Sequence, residues 1–205
     1  MEQARMIWPT SDLEVRQLGN RPIIAGKFPY NSLAVLSDRG TVRKEQIMPG
    51  AFSFALGDPK REINLLSGHS FDRPLASRSS GTLELKDTER FLEFVATIPP
   101  GAERATHVVD ALAMIGSGLA RGISPGFRVP PADVVPGAER LVPEPGNPGV
   151  MIRQLFALLL FELSIVTRPA YPDTEAELRA MAPYLDLGTK SSAIDCTGHK
   201  MVILP

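Results

Sequence analysis

The sequence predicts an α+β domain built mainly of antiparallel strands. Three observations lead there. The 205 residues include 19 prolines and 17 glycines, a punctuation that favours many short elements over a helical bundle. Residues 21–100 read mostly as strands separated by turn signals, so a meander is expected and a βαβ series is not. Helical periodicity is clear in only two longer stretches, 100–122 and 173–187.

Residues 1–20 lack strong periodicity and read as an N-terminal arm or an edge segment. "RPIIAGKFPYNSLAVL" (21–36) reads as a strand ending in a turn, and 37–52 as a turn at Asp38-Arg39-Gly40 followed by a second strand. "MPGAFSFAL" suggests a turn entering a short helix. In "REINLLSGHS" (61–70), Ile63, Leu65, Ser67 and His69 alternate on one face of a half-buried strand. Residues 73–100 continue as strands divided by "SSG" and "KDTE".

The helix at 100–122 starts at Pro100 and Gly101, frays at Gly116 and Gly118, and has Gly122 as its expected cap. Residues 130–149 are dense in proline and glycine and read as a loop or insertion. "VMIRQLFALLLFELSIVT" (150–167) is apolar on both faces: a doubly buried strand, with a helix over 153–163 as the competing reading. Residues 173–187 are amphipathic, with Leu178, Met181 and Leu185 on one side and Asp173 or Thr174 as cap. The last residues, 188–205, read as a loose tail.

Composition excludes several classes. At 43 % apolar residues the chain can bury a core as one domain. The formal net charge is −1 and the basic residues are scattered, so no nucleic-acid or acidic-lipid surface is expected. The single cysteine, Cys196, rules out an intrachain disulfide and cysteine-rich metal sites. The longest apolar run, "LFALLLF" (155–161), is far short of the roughly 20 residues a spanning helix needs. The N-terminus has no apolar signal-peptide core, so a cytoplasmic protein is expected.

"RGISPGFRV" (121–129) contains G-x-S-x-G, the pattern of the α/β-hydrolase nucleophile elbow. The context argues against that fold. An elbow needs a strand before the serine and a helix after it, and the order here is reversed. Pro125 follows Ser124 and has no N–H to offer an oxyanion. Ser124 can still be a nucleophile in another fold, because Ser/His/acid constellations recur in several chain orders.

The chain has three histidines: His69, His107 and His199. Their spacing fits no metal site, and no cofactor is expected. His107 reads as a semi-exposed helix residue and His199 as solvated. Glu162 interrupts the most apolar stretch of the chain. An ionised carboxylate there costs several kcal/mol unless it is paired. It must reach solvent, be protonated or find a cation, either a histidine imidazolium or an arginine such as Arg128, Arg153 or Arg168.

Four segments, in order, resemble one family: the prohead (procapsid maturation) serine proteases of tailed bacteriophages and gene transfer agents, relatives of the herpesvirus assemblins. They are "AGKFPYNSLAVLSDRGTVRKEQIMPGAF" (25–52), "LLSGHSFDRPLASRSSGTLEL" (65–85), "ARGISPGFRV" (120–129) and "LFELSIVTRPAYPDT" (160–174). The resemblance spans residues 21–175 and leaves out the ends and 130–149. It departs from the family at Gly68-His69-Ser70, where "NHD" is frequent, and at Pro125, where an aromatic or other residue is often seen.

The resemblance implies an assemblin-like small β-barrel surrounded by helices, over 21–187. It implies His69 as general base, Ser124 as nucleophile and Glu162 as the orienting third member, with Asp72 a further candidate for that role. It implies a homodimer formed through helices. The substrates would be the scaffold, or the scaffold-like region of the major capsid protein, cleaved inside procapsids assembling in a bacterial cytoplasm. Removal of the protein's own tail would belong to the same activity. Two other classes remain open: a non-catalytic capsid- or scaffold-associated barrel, and a small esterase.

Overall fold

Alternating apolar and polar residues lay down strands through most of the computed structural model, which describes residues 13–19, 21–38 and 41–169. In chain order these are β1 (Leu13–Leu18), β2 (Arg21–Pro29), β3 (Leu33–Asp38), β4 (Thr41–Ile47), β5 (Asn64–Ser67), β6 (Ser70–Ser77), β7 (Leu83–Asp87), β8 (Phe91–Thr97), β9 (Gly122–Arg128), β10 (Glu139–Glu144), β11 (Asn147–Leu155) and β12 (Leu159–Val166). Among the described residues two α-helices join them: α1 (Ser53–Leu56) and α2 (Thr106–Gly116). None of the described helices is long and apolar enough to cross a membrane.

The strands form three four-stranded sheets, ordered β1-β2-β8-β7, β10-β11-β4-β3 and β6-β5-β12-β9. Most pairs are antiparallel, as expected; β11 with β4 and β12 with β5 are parallel. The fold is therefore a strand-rich α+β architecture. Among the described residues each sheet keeps two edges, and hydrogen bonding closes no barrel. One core serves all three sheets: Ile24, Phe28 and Phe94 from the first, Ile47 and Leu155 from the second, Leu65 and Leu163 from the third. Phe52, just before α1, packs its ring edge-on against Phe28 with centroids 6.1 Å apart. Tyr30 closes the cluster from the other side and donates its buried hydroxyl to Asp87.

Residues 13–18 take the second of the two forms expected of them, an edge segment: they are the edge strand β1, in register with β2. Several boundaries differ from the sequence expectation. Residues 139–149 are not a loop. They form β10 and the start of β11, a hairpin turning at Pro145-Gly146. Pro143 is tolerated because β10 is an edge strand with a register shift at Pro143/Glu144. Residues 150–167 are two strands rather than one, or a helix. The break comes at 156–158, where Phe156 donates its N–H to Ala138 O and Leu158 donates to Ala51 O.

α2 is shorter than its periodicity suggested and buries Val108, Ala111 and Ile115. Gly118, not Gly122, ends it: with φ of 73° it lets Gly118 N–H reach Ile115 O and Leu119 N–H reach Met114 O. That is the Schellman pattern. Gly122 instead opens β9. The helix expected at 173–187 and the tail 188–205 lie outside the described residues.

Candidate active site

β12 is flanked by β5 on one side and β9 on the other. Its residues alternate: Leu163 and Ile165 enter the core, while Glu162 and Ser164 occupy the opposite face. A register irregularity between Leu160 and Glu162 lets Leu160 join the core as well. That irregularity is why the stretch reads as apolar on both faces.

β9 pairs antiparallel with β12, Ser124 opposite Ser164 and Gly126 opposite Glu162. Directly opposed residues share a face, so Ser124, Ser164, Glu162 and Gly126 form one patch. Ser124 is buried.

His69 arrives from the other flank. It is not on a strand face, as the alternation of 61–70 implied. It occupies the turn between β5 and β6, which closes on the pair Ser67↔Ser70. Gly68 and His69 have φ of 65° and 60°, the two positive values of a type I′ hairpin turn. Histidine is among the few side chains enriched at positive φ, though glycine or asparagine is easier there. Two contacts to β12 hold the turn: Gly68 N–H donates to Ile165 O at 3.0 Å, and His69 N–H donates to Ser164 Oγ at 2.9 Å.

The ring then meets the carboxylate. His69 Nδ1 lies 2.7 Å from Glu162 Oε1, and Ser164 Oγ donates to Glu162 Oε2 at 2.7 Å. Glu162 is 4 % exposed, and each oxygen of this buried carboxyl group has its own hydrogen-bond partner. The His69 side chain is 47 % exposed. With Nδ1 bonded to the carboxylate, Nε2 is the nitrogen left for a reacting group. Among the described residues no hydrogen bond joins Ser124 Oγ to this ring; Ser124 stands opposite Ser164 on β9, and His69 reaches Ser164 from the β5–β6 turn.

Gly126 explains part of the sequence motif. A Cβ there would stand 2.1 Å from Glu162 Oε1 and 2.7 Å from its Cδ. Only glycine leaves room for the carboxylate to lie across β9. Sequence reading gave this glycine no role, although its position two residues after Ser124 was the available signal. Ser164 was likewise missed, inside the quoted "FELSIVT".

The other candidates have different settings. Arg153 pairs with Glu45 and Glu139, and the Arg128 guanidinium stands 5.7 Å from the Phe161 ring centre. His107 Nε2 donates to Pro74 O at 2.9 Å, which docks α2 on β6. Asp72 is exposed on β6. His199 lies outside the described residues. Among the described residues no group of three His, Cys, Asp or Glu side chains is arranged to hold a metal ion.

A cleft of about 820 Å³ adjoins His69, between the β5–β6 turn, α2 and the end of β12. Met114 and Ile165 give it an apolar lining; Arg73, Asp110 and Thr167 add polar groups.

A family model described as Caudovirus prohead serine protease matches residues 12–186. Neither the curated proteins nor the solved structures returned a significant match.

Proposed function

The chain belongs to the caudovirus prohead serine protease family, and we propose that it is a capsid-maturation endopeptidase acting through Ser124, His69 and Glu162. The observation that carries this reading is the 2.7 Å bond from His69 Nδ1 to Glu162 Oε1, on the sheet face that also bears Ser124. That bond sets the tautomer a general base needs. The proton sits on Nδ1, and Nε2 is free to take one from a serine hydroxyl.

Ser124 Oγ attacks the scissile carbonyl as His69 Nε2 takes its proton. Glu162 stabilises the imidazolium so formed. His69 then protonates the leaving amine, and water hydrolyses the acyl-enzyme by the same route. A serine–imidazole bond that is open in the free enzyme tightens in the substrate complex. Oxyanion donors are needed, each worth about 2.7–4 kcal/mol in a measured case. Pro125 has no N–H, so we assign them to the backbone around Thr167 and Arg168, beside the cleft. The cleft is the place for the substrate chain.

The substrates in this reading are scaffold, or the scaffold-like region of the major capsid protein, and the enzyme's own tail. The setting is the assembling procapsid in the host cytoplasm. A helix-mediated homodimer, and a barrel-like wrapping of the three sheets, are parts of the same proposal.

Co-expression with the cognate major capsid protein tests it. The wild type should shorten the capsid protein, and Ser124→Ala and His69→Ala should leave it at full length while remaining folded. Cleavage by purified Ser124→Ala protein would refute the assignment. Rapid hydrolysis of small esters without capsid cleavage would favour an esterase instead.

A further inference from the structure

We propose that Ser164 is a positioning residue that locks the His69 turn and the Glu162 carboxylate into one unit; this rests on the triad reading above. Its hydroxyl is completely buried and serves two partners at once. It accepts from His69 N–H at 2.9 Å and donates to Glu162 Oε2 at 2.7 Å. The direction is forced. A backbone N–H can only donate, so the hydroxyl hydrogen is free for the carboxylate.

The consequence is a closed ring of hydrogen bonds. His69 enters it twice, through its backbone N–H and through Nδ1, and Glu162 enters it through both oxygens. With Oε2 occupied by Ser164, Oε1 is the oxygen held toward the imidazole. The histidine stands at a positive φ where glycine or asparagine is easier. Ser164 is one of the two contacts that hold the backbone there, and the same atom orients the acid. A twofold function of this kind explains a hydroxyl on a strand whose neighbours Leu163 and Ile165 are core residues. Without it, Glu162 Oε2 would be a buried acceptor with no donor.

The test uses the full chain and an alkyl fluorophosphonate, which reports Ser124 reactivity without requiring a known substrate. Ser164→Ala should stay folded and lower the maximal labelling rate about ten- to a hundredfold, the scale of a small misplacement of reacting groups. The probe concentration for half-maximal rate should stay within about twofold, as binding is not the step affected.

The second readout is ¹⁵N NMR of the histidine rings. Neutral His69 should be the Nδ1–H tautomer in the wild type and a mixture of tautomers in Ser164→Ala. Should Ser164→Ala fail to fold, Ser164→Cys, of similar size but a weaker donor, gives the same two readings. A labelling rate within twofold of wild type, or a lowered rate with an unchanged tautomer, would overturn the proposal. Ser124→Ala serves as the control. Unchanged labelling in that variant would refute the triad reading alone, because the tautomer measurement reads the lock without any activity.

Discussion

The hairpins β5–β6 and β10–β11 each reverse the chain in two residues, closed by the pairs Ser67↔Ser70 and Glu144↔Asn147. The second does so with Pro145 and Gly146, whose φ is 79°. Proline presets the first turn position and glycine takes the positive φ at no steric cost. Its conformation is written into its own two residues. The first hairpin places a histidine where glycine would be easier. It is held from outside, by Ile165 O, Ser164 Oγ and Glu162 Oε1 on β12. A non-glycine residue in this region costs on the order of 1–2 kcal/mol. Strain of this kind persists where surrounding contacts over-determine the backbone, and such places are often functional sites.

The contrast can be broken first at its costly residue. His69→Asn should cut fluorophosphonate labelling about a thousandfold or more, within the range for loss of a general base. Asparagine is itself at home at positive φ, so the melting temperature should move only a few degrees. A large loss of stability would mean that His69 is there for structure.

Gly126→Ala attacks the same hairpin from the far side of Glu162. The new Cβ would take the space of Oε1, and labelling should fall about a hundredfold. The β10–β11 turn should behave oppositely. Gly146→Ala should destabilise by about 1–2 kcal/mol in a denaturant titration and leave the labelling rate unaltered. Pro145→Ala should have the smallest effect, a loss of about 0.4–1 kcal/mol from greater freedom of the unfolded chain.

Both hairpins also show what can and cannot be read in a sequence. Glu162 was conspicuous because a charge in "LFALLLFELSIV" demands a partner, and the partner is a histidine. The turn at Gly68-His69 was hidden because Ser67 and His69 continue the spacing of Ile63 and Leu65. Alternation alone cannot report a positive φ. The β10–β11 hairpin was hidden for another reason. Proline and glycine signal loops on average, yet an edge strand accepts proline wherever no donor is needed. The three-sheet topology was not legible either, since the parallel pairs β4–β11 and β5–β12 join segments about a hundred residues apart. Gly126 could be seen in the motif but not explained. Its role depends on a side chain from another strand.

The most direct test of the central claim is to map the fluorophosphonate adduct by mass spectrometry in wild type and His69→Asn protein. One adduct is expected, on Ser124, formed at least about a thousandfold more slowly in the variant. An adduct on another serine, or equal rates on Ser124 in the two proteins, would contradict it.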